Sequence, residues 1–444
     1  MHRLQPTSSV LDIARRLEDA GFEAWCVGGA IRDALIGGHP LDWDLASPAT
    51  PEQVQQLFGR NRTIPVGIAF GTVSILDDDH VPHELTTFRR DVRTDGRHAE
   101  VEFGVSLDDD LARRDFTINA IAYRPLTQEV RDPFGGQADI AAGVVRAVGD
   151  AQQRMREDRL RALRAIRFAS RFHFVIDDAT LAAIRASAPH LTRLSAERVQ
   201  QELVKTMEQV DAAGGALRLW RDTGALAVLV PALASLDDVA LATLDLLPRN
   251  ARRAGRSAPQ RTTNRIAALF LDAKPSEARD ALVALRFSKH DVAWAAALVQ
   301  RQELLARIGA SITLATPSDV QVRRWLASLG RAHAGAAMRV ADARWRAMRE
   351  AGKPAPDAAS VRALHRRLMA ARLTDPIDVS DLAICGDDLR RTGIPPGPIY
   401  AKILNALLDL VLDAPARNTP QALLDELPRV IAIIADNPDI LPMH

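Results

Sequence analysis

The chain has 444 residues, 47% of them hydrophobic and 25% charged, enough for roughly three domains with packed cores. Its 57 Lys and Arg balance 56 Asp and Glu to leave +1, which excludes a uniformly basic nucleic-acid coat but leaves room for a local basic stripe. Cys26 and Cys385 are far apart and lack metal-ligand spacing, the start lacks a charged-then-apolar leader, and no apolar run nears the ~20 residues of a membrane span, so a reduced, cytoplasmic, soluble protein is expected.

Apolar residues at 10, 11, 14 and 17 predict an amphipathic helix over 10–20, stopped by Gly21. "EAWCVGG" reads as a short buried strand, and "AIRDALIG" as a helix starting directly after Gly28-Gly29. Such a turn lets backbone N–H groups approach an anion, and Arg32, about one turn into the helix, can add a bidentate phosphate contact. A tight connection with no ligand is the plainer alternative. "DWDLAS" then predicts a strand with Leu41, Trp43 and Leu45 facing a core and Asp42 and Asp44 sharing the other face. Two carboxylates placed so repel each other unless they are solvated or share a cation. Beside a phosphate-cradling turn, paired carboxylates suit Mg²⁺, which also touches substrate phosphates.

"TPEQVQQLF" predicts a helix with Thr50 as N-cap and Pro51 at its first position. "GTVSIL", "PHELTTF" and "AEVEFG" predict further strands, so about 145 residues mix strands and helices. In "ARRDFTINAIAY", residues 112–123, Asn119 opens what reads as an apolar helical run, with Asp115 or Thr117 as its cap.

From about residue 150 the pattern is helical, broken by turn signals at "SAPHLTRLS", "LLPRNARRAGRSAPQR", "EAGKPAPDAAS" and "TGIPPGP". In "EDRLRALRAIRFASRF", at about 100° per residue, Asp158, Arg161, Arg164 and Arg167 step round one side of a helix. Ala162, Leu163, Ile166 and Ala169 fall opposite and can pack. Four arginines in eleven residues (161, 164, 167, 171), unpaired with acids beyond the first turn, form either a solvated face or one turned to a polyanion. "SAERVQQEL" reads as a Ser195-capped helix, with Glu197 favouring its dipole.

Residues 249–265 hold six arginines and no acid; with Arg323, Arg324, Arg339, Arg344 and Arg346 they can line a face for RNA phosphates, or be solvated. "CGDDLRRTGIPPGP" has the Gly and Pro spacing of a tight connection between helices. The pair His290-Asp291 lacks the further His and Asp ligands that a second metal site would need. Aromatic content of 5% favours recognition of backbone and shape over base stacking.

"GGAIRD…DWD", "RRDFTINA", "DPFGG" at 132–136, "EDRLRALRAIRF" at 157–168 and "SAERVQQEL" at 195–203, in that order, make the chain resemble the class II tRNA nucleotidyltransferases. That family comprises CCA-adding enzymes and bacterial poly(A) polymerases. The motifs cover residues 24–205 densely, and "ICGDDLRRTGIPPGP" resembles the helical remainder of compact bacterial members.

The resemblance implies an α+β multidomain protein. A polymerase-β-like nucleotidyltransferase head (1–148) would precede an all-α neck (149–235) that selects the nucleobase, then a body (236–350) and a tail (351–444) that bind tRNA. Template-independent addition of CCA to the tRNA 3′ end from CTP and ATP, releasing pyrophosphate, is the implied reaction. Asp42 and Asp44 would bind two Mg²⁺ ions and, with Arg114, carry the catalysis. Gly29 and Arg32 would hold phosphates, Arg114 would meet the nucleotide beside them, and Glu84 would supply a third carboxylate unless it is only an exposed strand residue.

In the resembled family the positions of Asp158 and Arg161 read the nucleobase. Cytosine and adenine both offer an exocyclic amine beside a ring-nitrogen acceptor, so Asp158 can accept where Arg161 donates. Uracil and guanine present the reverse order. Arg164 and Arg167 would support base or phosphates. No protein partner is implied. The alternatives are a CC-only or A-only enzyme, decided by the 88–100 loop where His98-Ala99 departs from a common His-Pro, a poly(A) polymerase, or an inactive tRNA-binding protein.

Overall fold

The computed structural model describes residues 4–40, 42–67, 70–94, 99–248 and 259–436. Leu41, positions 95–98 of the 88–100 loop and the arginine-rich stretch 249–258 lie outside the described residues. The chain divides after Ala234 into two compact units.

The first unit opens with α1 (Ser8–Asp19), whose Val10, Ala14 and Leu17 are buried as the spacing predicts, with Ile13 buried and Leu11 only half-buried, and continues with β1 (Trp25–Val27) and α2 (Gly29–Leu35). Next come β2 (Asp44–Ser47) and α3 (Pro51–Phe58). In α3, Thr50 and Gln53 form the reciprocal capping box behind Pro51. Strands β3 (Thr63–Gly67), β4 (Thr72–Leu76) and β5 (Pro82–Thr87) follow, then the hairpin β6 (Arg89–Thr94) and β7 (Ala99–Phe103). After α4 (Leu107–Ala112) come β8 (Ala122–Arg124) and β9 (Glu129–Arg131).

Seven of these strands form one sheet in the order β3-β4-β5-β2-β1-β8-β9, with β2 and β5 parallel. Period-two alternation sends successive side chains to opposite faces. Cys26, Trp43, Leu45, Ile75 and Leu85 join α1 on one face; Trp25, Val27, Ala46 and Ala122 join Leu107 and Leu111 of α4 on the other. Both cysteines are free thiols; burial, then Asp44, pushes Cys26 up to about 12.

The helical run expected from Asn119 is not formed. Residues Thr117–Asn119 make one 3-10 turn, and Ala122–Arg124 become β8, paired with β1. Covered on both faces, this strand has no alternation to betray it.

Past α5 (Gly136–Ala142) and the short β10 (Val144–Val145), the unit is almost wholly helical: α6 (Ala151–Glu157), α7 (Leu160–Phe172), α8 (Asp178–Ser187), α9 (Ala196–Gln209), α10 (Ala213–Asp222) and α11 (Ala225–Leu229). β11 (Val175–Ile176) pairs with β10. The continuous helix expected across "EDRLRALRAIRF" is interrupted: Asp158 is extended (φ −143°), and its Oδ1 accepts from the Leu160 N–H at 3.0 Å. An aspartate side chain competes with the backbone in this way and restarts the helix.

The second unit is helical throughout its described residues: α12 (Asp238–Leu246), α13 (Pro259–Leu269), α14 (Pro275–Ala284), α15 (Lys289–Gln300), α16 (Gln302–Leu314), α17 (Asp319–Leu329), α18 (Ala334–Glu350), α19 (Ala358–Thr374), α20 (Gly386–Arg391), α21 (Ile399–Asp413) and α22 (Pro420–Asp436). Leu389, Ile403, Leu407, Val411, Leu423 and Leu427 form the core of its C-terminal end. The "TGIPPGP" stretch joins α20 to α21, the tight connection its composition predicts. No described helix is long and apolar enough to cross a membrane.

Candidate functional site

Trp43 and Leu45 are each 1% exposed, while Asp42 and Asp44 stand exposed beside them. The Trp43 indole donates to the Pro40 carbonyl at 3.0 Å, fixing the chain between the two carboxylates. Strand β2 begins only at Asp44, so Asp42 sits on its threshold. The parallel register sets Leu45 opposite Leu85, so Asp44 and Glu84, each one residue earlier, fall side by side. Desolvation by the protein packed around its carboxylate, then the like charges of Asp42 and Glu84, push Asp44 up to about 6 against the pull of Arg114.

Hard carboxylate oxygens crowded until they resist ionisation are what a dication relieves, so the donor set fits Mg²⁺. Among the described residues no three His, Cys, Asp or Glu side chains are arranged as a closed metal cage. An open pair is the form Mg²⁺ uses when substrate phosphates complete its shell.

Across from Asp44 the chain turns through Gly28 at φ 78°. A β-carbon there would lie 3.1 Å from Arg114 Nη1 and 4.0 Å from Asp44 Oδ2, so glycine is what lets guanidinium, carboxylate and backbone meet. One cavity of about 410 Å³ is lined by Gly28, Gly29, Arg32, Asp44, Arg114 and Arg164. It is completed by Arg113, Asp115, Asn119 and Phe168. Ten positions separated by up to 140 residues in sequence thus share one opening. Asp42, Asp158, Arg161 and Arg167 are not among its walls.

Each guanidinium of the site is held. Arg32 is 4% exposed; it donates to Asn119 Oδ1 at 2.6 Å and to Asp33 at 2.8 Å, and lies 4.9 and 4.8 Å over the rings of Phe168 and Phe172. Arg113 and Arg114 share Asp110 at 2.7 and 3.1 Å. Burial raises the Asp110 carboxyl, but Arg114 and Arg113 outweigh it and hold it below its ordinary value. The buried Nε of Arg114 has no partner among the described residues.

The neck arginines do not form the acid-free face that their spacing allows. Arg161 pairs with Glu157 at 2.8 Å and donates to the carbonyls of Arg154 and Arg113. Arg164 meets Asp115 at 2.8 Å, Arg167 meets Glu202 at 2.7 Å, and Arg171 meets Asp33 at 3.2 Å. Asp158 pairs with Arg198 of α9 at 2.7 Å. The apolar side is as expected: Ala162, Leu163, Ile166 and Ala169 are buried.

Glu202 and Phe168 were not readable as site residues because their partners Arg167 and Arg32 are brought in by the fold, whereas Asp33, Asp110 and Glu157 lie within four residues of Arg32, Arg113 and Arg114, and Arg161, a spacing that could have found them. Glu202, 1% exposed, leaves Arg167 without a counter-charge when removed. Glu202→Ala is therefore expected to destabilise the protein by about 3–5 kcal/mol, lowering Tm by roughly 10 °C in a thermal melt.

In the second unit, Arg324, Arg344 and Arg346 pair with Asp413, Asp272 and Glu350 at 3.0, 2.7 and 2.9 Å, and Arg323 lies 3.8 Å from Asp375. Arg339 has no carboxylate partner among the described residues. Ser288 caps α15, its hydroxyl accepting from the Asp291 N–H at 3.1 Å and donating to the Asp291 carboxylate at 2.6 Å, while His290 lies beside Trp294.

Residues 24–146 match the family described as Poly A polymerase head domain, and residues 173–236 the one described as Probable RNA and SrmB- binding site of polymerase A. The CCA-adding enzyme of Leuconostoc mesenteroides is 47% identical over 197 residues, 44% of this chain and 48% of that protein. The enzyme of the same name from Geobacillus kaustophilus is 43% identical over 232 residues, 52% of this chain and 56% of that one. The chain thus spans about half the length of the curated relatives it matches. Among solved structures, the Bacillus stearothermophilus CCA-adding enzyme in complex with CTP is 30% identical over 97% of this chain and 98% of its own, with a TM-score of 0.75.

Proposed function

The chain belongs to the class II tRNA nucleotidyltransferase, or CCA-adding enzyme, family, and from that membership we propose that it adds C, C and A to tRNA 3′ ends using CTP and ATP. The observation that carries the reading is the convergence of Gly28, Arg114, Asp44 and the neck's Arg164 on one cavity, which supports a triphosphate cradle and a nucleobase-facing helix that share a single space.

In this reading Asp42 and Asp44 hold two Mg²⁺ ions. Bound there, the ions supply the positive charge that acidifies the RNA 3′-hydroxyl and steadies the leaving pyrophosphate. The chain's own residues do the positioning. The glycine turn brings backbone close to the triphosphate, Arg114 faces it across Gly28, and Asp110 keeps that guanidinium aimed. Arg32, locked by Asn119 and two phenyl rings, gives the cradle a fixed positive wall. Asp158 and Arg161 read the pairing edge, and Arg164 and Arg167, held by Asp115 and Glu202, support the base or phosphates.

We further propose the four-part division into head (1–148), neck (149–235), body (236–350) and tail (351–444), with the last two meeting tRNA. A cytosolic setting accords with two free thiols. The test is incubation with tRNA lacking its last three nucleotides, Mg²⁺, and each nucleoside triphosphate singly and together. CTP alone is expected to add two residues, and CTP with ATP three. A ladder stopping at two with both present assigns a CC-only enzyme, and a long A ladder a poly(A) polymerase; no product from any mixture overturns the activity.

A further inference from the structure

Among the described residues, the wall of the catalytic cavity carries one apolar side chain amid its charges, Phe168 of α7. The ring is 5% exposed, and guanidiniums from two separate parts of the chain lie against it. Arg32 of α2 stands 4.9 Å from the ring centroid, and Arg164 and Arg167 of α7 itself stand 5.3 and 4.4 Å from it.

A polar circuit closes round the same ring. Arg32 donates to Asn119 Oδ1 at 2.6 Å, Asn119 Nδ2 donates to Asp115 Oδ1 at 2.9 Å, and Arg164 donates to Asp115 Oδ2 at 2.8 Å. The two ends of that chain, Arg32 and Arg164, are the guanidiniums that share Phe168, and all five residues line the cavity. An amide and a carboxylate thus set the spacing of Arg32 from Arg164 along one path, and a phenyl ring sets it along another.

The ring is itself held in place. Phe116, buried beside the 3-10 turn that carries Asn119, meets it edge-on at 5.9 Å and 83°. Phe172, one turn further along α7, stacks with it at 6.1 Å and 11°, and lies 4.8 and 4.7 Å from Arg32 and Arg171. Asp33 joins these two arginines, accepting from Arg32 at 2.8 Å and from Arg171 at 3.2 Å.

Four guanidiniums therefore crowd two stacked rings. Burial lowers Arg32 and Arg167 from their ordinary values, and the charge of Arg171 adds to that in both. The negative face of a phenyl ring attracts such partly dehydrated cations and leaves their in-plane N–H groups free for oxygen acceptors. An aliphatic side chain of similar bulk would fill the space and offer no such face.

The geometry points to Phe168 as a positioning residue: its ring fixes how far Arg32, which holds the triphosphate, stands from Arg164 on the neck helix. It acts through Arg32, setting the phosphate end of the nucleotide against the side where the base is read. Those roles of Arg32 and the neck rest on the function proposed above; the hold of the ring on Arg32 does not.

The test compares Phe168→Leu, which keeps apolar bulk and removes the ring face, with Phe168→Tyr, which keeps the face. The magnesium complex of inorganic tripolyphosphate, which has neither base nor sugar, is titrated into each protein by calorimetry. Phe168→Leu is expected to weaken its binding about tenfold, and Phe168→Tyr to stay within about twofold of the parent. In the Leu variant, KM for CTP and ATP should rise together, with KM for tRNA unchanged. Placed in an Arg32→Gln background, Phe168→Leu should cost little more, because residues that act as a unit are not additive.

Thermal melts accompany every variant. Should Phe168→Leu melt early, Phe172→Leu takes its place, at a half-buried position outside the cavity wall, with an expected loss of about threefold. The proposal is overturned by a parent that binds no tripolyphosphate, by undiminished affinity in a folded Leu variant, by equal losses in the Leu and Tyr variants, or by full additivity with Arg32→Gln. A parent that incorporates no nucleotide, yet whose tripolyphosphate affinity falls with Phe168→Leu and not with Phe168→Tyr, defeats the activity and leaves the positioning role standing.

Discussion

An Asp42→Ala variant is expected to lose nucleotide incorporation by about 10³-fold or more while binding RNA nearly as tightly as the parent. The carboxylate lies outside the cavity walls, on the threshold of β2, and contributes to no described hydrogen bond or ion pair, so its removal should leave the fold intact. What it shares with Asp44 is negative potential: after desolvation, its charge and that of Glu84 help raise the Asp44 carboxyl to about 6. Taking Asp42 away removes its share of that shift, so Asp44 ionises more readily but faces any cation alone. Divalent ions supply several kcal/mol of transition-state stabilisation, and each 1.4 kcal/mol is about tenfold in rate. Incorporation of labelled CMP and RNA binding by anisotropy, on the same preparation, check it. Turnover near the parent's would remove Asp42 from the catalytic centre.

The second large effect concerns nucleotide choice. Asp158→Asn combined with Arg161→Gln is expected to let UTP and GTP in, shrinking a discrimination of roughly 10⁴ to tens. Carboxylate and guanidinium each present a single polarity, acceptor and donor, whereas a side-chain amide presents both and satisfies either base edge. In the structure the Asp158 carboxylate is taken up by Arg198 and the Leu160 N–H, and Arg161 by Glu157 and two carbonyls. Reading a base therefore means exchanging these partners, and the variant needs a thermal melt beside its nucleotide panel. If a folded variant still takes only CTP and ATP, the base is read elsewhere.

How far the sequence could be read depended on the distance between partners. Trp43 and Leu45 alternate with Asp42 and Asp44 within five residues, so the exposed pair was visible from the pattern alone. Thr50 and Gln53 close their own capping box, and Ser195 caps α9 as its position suggests. The strand at Thr63–Gly67 was missed because it is an edge, mostly exposed, with a proline inside it. The neck arginines looked acid-free because their partners lie 49, 35 and 138 residues away in sequence, beyond any local window. The break at Asp158 was invisible for a related reason. Its neighbours favour helix, and it takes the aspartate's hold on Leu160 together with Arg198 from another helix to keep it extended.

The three ties that run from α7 back toward the sheet, Arg164 to Asp115, Arg171 to Asp33 and Arg161 to the Arg113 carbonyl, bear on how this protein can be recombined with its kin. A graft cut near residue 148 would transplant guanidiniums without the oxygens they were fitted to, leaving both halves with orphaned charge. Working hybrids should instead be spliced after Ala234, where the first compact unit ends, so that donor and recipient each keep their matched pairs.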